Sequence, residues 1–136
     1  MMVSLTERTR SAPGAELFID GSVASEIADT ADDAYFDETD TEGLLIGSMF
    51  VDRRGTYGTV KGISADVGDT SSAVGWFRSS EDGCAMSQKD VSRHMRLFGK
   101  SKAYAIMVDA GQSSMAMYTV EDGVAMKVSA VMTEGL

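Results

Sequence analysis

One cysteine, one histidine and one proline in 136 residues remove several chemistries at the outset. The lone Cys84 cannot form an intrachain disulfide, and Cys84 with the lone His94 cannot supply a Cys/His zinc cluster. Any metal would need carboxylates. Long apolar runs are missing too: no stretch approaches the roughly 18 residues that span a bilayer. The opening Met1-Met2-Val3-Ser4-Leu5-Thr6-Glu7-Arg8 also lacks the apolar region of a secretory signal. A cytoplasmic protein, away from membranes, is the expectation. Basic residues are in deficit, twelve against twenty-one acids, and a formal charge of −9 repels a nucleic-acid backbone. What is present is a composition near the globular average, 43% hydrophobic and 24% charged, in a length suited to one domain with an ordinary core.

The charges are unevenly placed. Residues 20–42 hold nine acids and no base, whereas residues 78–102 hold Arg78, Lys89, Arg93, Arg96, Lys100 and Lys102, half of all the basic residues. Such asymmetry suits an acidic partner surface or self-association better than DNA. It also describes two solvated helix faces of opposite sign.

Residues 1–14 contain the only proline, Pro13, and no periodicity, which predicts a flexible leader ahead of a single domain over 15–136. Ala15 to Ile19 reads as a short strand. Asp20 or Ser22 then caps a helix whose apolar Val23, Ile27, Ala31 and Ala34 share one face, with Glu26, Asp29, Asp32 and Asp33 on the rest. The helix is expected to fray between Phe36 and Asp40. Gly43 to Val51 begins as a continuous apolar run, the mark of a strand covered on both faces, and Asp52-Arg53-Arg54-Gly55 turns it back into a strand over Thr56 to Ile63. A polar loop leads to a buried strand, Ala73 to Phe77, with Trp76 in the core and needing one partner for its N–H.

The 87–99 segment is predicted as a helix: Ser87 caps it, Asp90 occupies the third position, Val91, Met95 and Phe98 form a stripe, and Gly99 ends it. Tyr104 to Val108 is a further strand. Met115 to Val120 and Val124 to Met132 then form a hairpin about Glu121-Asp122-Gly123. In its second arm Val124, Met126, Val128, Ala130 and Met132 alternate with Ala125, Lys127 and Ser129, which predicts one buried face. Together these elements make a mixed α/β fold, a curved, mostly antiparallel sheet flanked by two helices.

Two stretches carry chemistry. Asp40-Thr41-Glu42-Gly43-Leu44-Leu45-Ile46-Gly47 places acids before a glycine-bounded buried strand, and Val74-Gly75-Trp76-Phe77-Arg78-Ser79-Ser80 precedes a loop ending in Gly83-Cys84-Ala85-Met86-Ser87-Gln88-Lys89-Asp90. This pairing resembles the MPN/JAMM (JAB-domain) family, whose metalloprotease members remove ubiquitin-like modifiers. Their pattern is a Glu three residues before the Gly of a G-L-L-x-G strand, then G-W-Y-H-x-H-P, a loop often containing G-C-x-L-S, and an Asp three residues after that Ser. In that family the two histidines and the Asp hold zinc and the Glu deprotonates the water. Three protein ligands leave an open position, where bound water has a pKa near about 7.

Carried over, the Glu position is Asp40, the first His is Arg78, the second is Ser80 and the following Pro is Glu81. The loop is one residue short, and only Asp90, with Ser87 ahead of it, matches. Arg78 has donors and no lone pair, so it cannot ligate a cation. The resemblance therefore implies an MPN/JAB-like, cytidine-deaminase-like architecture with its zinc lost and its site vestigial: a non-catalytic scaffold that pairs with a protein partner or a second copy. In that setting Arg78 replaces the metal, its guanidinium between Asp90 and Asp40 or Glu42, or else points to solvent from a strand end. Two other readings stay open. One is a hydrolase with a divalent ion on Asp40, Glu42 and Asp90. The other is a small-anion or peptide sensor in the vacated cleft. Ser79 or Ser80 with His94 lacks a nucleophile elbow, Cys84 reads as a packed residue, and Met115, Met117, Met126 and Met132 read as core or as an adaptable pairing surface.

Overall fold

The computed structural model describes residues 5–79 and 83–134, and shows a mixed α/β fold in which one curled, open sheet carries a helix on each face. In chain order the strands are β1 (Leu5–Glu7), β2 (Leu17–Asp20), β3 (Glu42–Asp52), β4 (Gly55–Ser64), β5 (Ala73–Ser79), β6 (Tyr104–Asp109), β7 (Ser114–Glu121), β8 (Val124–Lys127) and β9 (Ala130–Thr133). Helix α1 (Gly21–Phe36) follows β2, and helix α2 (Gln88–Phe98) follows β5. Eight strands run in the order β8-β7-β6-β5-β3-β4-β2-β9, while β1 lies beside the far half of β3. No helix among the described residues is long and apolar enough to cross a membrane.

Local chemistry accounts for both helices. Asp20 caps α1 by accepting from the Ser22 N–H, and Val23, Ile27, Ala31 and Ala34 are all buried, as their spacing predicts. In α2 the Ser87 hydroxyl accepts from the Asp90 N–H, and the Asp90 carboxylate accepts from the Ser87 N–H, a complete capping box. Gly99 closes α2 at φ 60°, in the left-handed region where glycine has no Cβ penalty.

Alternation along the strands splits the core in two. Leu45, Phe77, Tyr104, Ile106 and Val108 face α1, whereas Leu44, Trp76, Ala105 and Met107 face the α2 side. Backbones come close at Gly75, where an added Cβ would lie 2.1 Å from the Tyr104 carbonyl oxygen. Only glycine allows that register.

Three expectations change. Where the sequence predicts a mostly antiparallel sheet, the longest ladders are antiparallel but four of the eight pairings are parallel. The β5–α2–β6 crossover makes one of these, since a helix between two strands returns the chain in the same direction. Where the sequence predicts a flexible leader over 1–14, Leu5–Glu7 pairs with β3, and Arg10 reaches back to the β3–β4 turn. Its guanidinium forks Asp52 at 2.8 and 2.9 Å and donates to the carbonyls of Ala15 and Gly55, with both side chains almost fully buried. Those bonds hold the segment where apolar periodicity gives no signal.

The predicted arm Val124 to Met132 is divided as well. Val128 still donates to Met117 in β7, but the Ser129 carbonyl accepts from Glu16 and Leu17, and β9 runs parallel to β2. The chain thus steps from one end of the sheet to the other within two residues, which curls the sheet. Instead of one buried face, Val124, Met126 and Met132 are exposed at 60%, 47% and 67%, whereas Val128 and Ala130 pack partly on the core that α1 covers. Met115 and Met117 pack partly on the core.

Candidate functional site

The residues singled out in the sequence meet at one end of the sheet. Antiparallel pairing sets Glu42 opposite Arg78, and the loop after β5 returns to start α2 there. A wide cleft of about 660 Å³ opens between these elements, lined by Asp40, Glu42, Arg78, Ser79, Ser87, Lys89, Asp90, Arg93 and Arg96 among others. Ser80 and Glu81 lie outside the described residues.

At its centre Arg78 grips Asp90 through two parallel bonds, Nε to Oδ1 and Nη2 to Oδ2, each 2.6 Å. Such a fork is the strong form of the Arg–carboxylate contact. Asp90 Oδ2 also accepts from the Ser87 N–H and hydroxyl at 2.8 Å each. Burial works to raise the Asp90 carboxyl, but the Arg78 and Ser87 donors outweigh it and hold the group below its ordinary value. The carboxylate is therefore charged at neutral pH and engaged at both oxygens.

The second acid goes elsewhere. Glu42 pairs with Arg93, whose guanidinium also lies 5.3 Å from the centre of the Trp76 ring. Asp40 is exposed on the rim. Arg78 thus bonds Asp90, while Glu42, expected beside Arg78, is taken by Arg93 from α2. Only the stripe of bases along α2, at spacings of four and three from Lys89 to Arg93 to Arg96, carries a signal of that contact in the sequence.

The remaining polar groups hold the scaffold. The Ser79 hydroxyl accepts from the Thr41 N–H at 2.9 Å, and the Ser79 N–H donates to the Thr41 carbonyl, which ties the end of β5 to the start of β3. His94 is buried against Trp76, whose indole N–H donates to Nδ1 at 3.1 Å; burial pushes the imidazole down to about 4, so it is neutral at pH 7. This supplies the partner that Trp76 requires and occupies the nitrogen a serine would need. Cys84 is half-buried, its Sγ 3.3 Å from the Ser114 carbonyl oxygen and its own carbonyl accepting from the Tyr118 hydroxyl.

The donor set fits zinc poorly. Among the described residues no group of three or more His, Cys, Asp or Glu side chains converges to hold a metal ion. Asp90 is already bound at both oxygens, and Arg78 offers a positive charge where a ligand would need a lone pair.

No family model matches the chain, and no curated protein matches it. Among solved structures it is similar to the solution structure of protein DSY2949 from Desulfitobacterium hafniense, a Northeast Structural Genomics Consortium target. The TM-score is 0.64 at 14% identity, with 88% of this chain and 94% of that chain covered. At that identity the similarity speaks for the mixed α/β fold alone.

Proposed function

We propose that this chain is a non-catalytic, MPN-like interaction domain, built on the layout of a metalloprotease and working by holding a protein partner. The observation that carries this reading is the Arg78–Asp90 fork. It sets a fixed cation beside the carboxylate that would otherwise bind metal, and closes both of its oxygens. Support also comes from the order of elements, a helix before the G-L-L-I-G strand and a second after the strand holding Gly75-Trp76. The Glu42–Arg93 pair engages a second cleft carboxylate, while Asp40 stays exposed on the rim. With Asp90 and Glu42 so engaged, the site offers charge and shape for recognition.

Native mass spectrometry with and without added zinc tests the proposal, together with cleavage assays on ubiquitin-like conjugates in the presence and absence of chelator. The expected result is no stoichiometric zinc and no cleavage that chelator abolishes. A bound metal with chelator-sensitive cleavage overturns it in favour of a hydrolase using Asp40, Glu42 and Asp90.

A further inference from the structure

Helix α1 ends at the same end of the sheet as the cleft. Asp40, on the cleft rim, follows Phe36 by four residues, so at most about 14 Å of chain separates them. Phe36 is 82% exposed and Tyr35 beside it 44%, and Asp37 and Glu38 stand open to solvent next to them. A phenylalanine so exposed, rimmed by carboxylates, has the make-up of an interface anchor. Across the rim, Lys89 and Arg96 are exposed on α2 with no ion-pair partner among the described residues, about 10 Å apart along the helix axis. One end of the domain thus carries an aromatic, acidic half beside a basic half. A patch of this kind is complementary to itself under a two-fold rotation, the symmetry of most closed homodimers.

We propose that a second copy of this chain docks here across a two-fold axis. Phe36, Asp37 and Glu38 of each copy lie on Lys89 and Arg96 of the other, so every contact forms twice. This rests on the reading of the domain as an interaction module and names its partner. The overall charge of −9 opposes association at long range, so the dimer depends on these local pairs and on burial of Phe36.

Sedimentation velocity over a concentration series tests it. The wild type is expected to dimerise, and Lys89→Glu/Arg96→Glu and Asp37→Lys/Glu38→Lys are each expected to weaken the dimer by roughly tenfold or more. The second variant moves the net charge toward zero, so any general effect of charge works against the expected loss. Mixing the two reversal variants restores a one-to-one heterodimer. Phe36→Ser weakens association without touching charge. A wild type that stays monomeric overturns the proposal, as does a dimer that survives both reversals, which points instead to the exposed β8 and β9 face. Neither outcome bears on metal content or cleavage, so the non-catalytic reading stands or falls on its own assays.

Discussion

Removing the Arg78 side chain probes the centre of the cleft most directly. Arg78→Ala takes away two bonds of 2.6 Å and leaves a carboxylate that is only 9% exposed. A fully buried pair broken on one side costs about 3–5 kcal/mol, and an exposed bridge less than about 1 kcal/mol. This pair lies between, because Arg78 is 21% exposed and Asp90 keeps both Ser87 donors. The expected loss is about 2 kcal/mol, which for a chain of this size lowers Tm by about 6–10 °C. Calorimetry at neutral pH measures it, and a cycle with Asp90→Asn separates the fork from the helix cap. The sign with pH is fixed by the lowered Asp90 value: its contribution is present above the unfolded carboxylate range and is lost as pH falls through the folded value. Wild-type and Arg78→Ala stabilities should therefore converge in acid. An unchanged Tm at neutral pH would refute the idea that Arg78 does the structural work of a metal ion.

His94, held near 4 in the folded protein, refuses a proton that the unfolded chain takes near 6.5. Its contribution to stability is therefore whole above pH 6.5 and is lost as pH falls toward 4, by up to about 3 kcal/mol. An NMR titration that places the His94 midpoint at the ordinary histidine value contradicts the buried Trp76–His94 bond. Trp76→Phe, which leaves Nδ1 without its donor, should cost about 1–3 kcal/mol in urea unfolding. Gly75→Ala puts a methyl group 2.1 Å from a backbone oxygen and should cost more than about 3 kcal/mol. A Gly75→Ala protein with wild-type Tm would mean that β5 and β6 are paired in another register.

Signals that act over a few residues were the legible ones. The Ser87/Asp90 box and Gly99 delimit α2, the i, i+4 apolar positions from Val23 to Ala31 delimit α1, and the Asp52–Gly55 turn sets the β3–β4 hairpin. Contacts between distant positions were not. Arg10 and Asp52 are 42 residues apart, and nothing beside either residue marks the other. The alternation from Val124 to Met132 is real, but period alone cannot say that Ser129 leaves one strand edge and joins another. In the cleft, the family resemblance suggested Arg78 beside Asp90 and Asp40 or Glu42, with a solvent-facing Arg78 as the alternative; the Asp90 half of that arrangement is present, whereas Arg93 reaching Glu42 depends on how α2 is laid across the sheet.

The short step from β8 to β9 also orders events in time. Because β9 follows every other described strand and lies beside β2, the chain through Thr133 must leave the ribosome before that ladder can close. Until then the outer edge of Leu17-Phe18-Ile19-Asp20 offers unpaired N–H and C=O groups on an apolar strand, the kind of edge that recruits other chains. The interval between making β2 and making β9 is therefore when this protein is most exposed to misassembly, and four residues, Ala130–Thr133, end it.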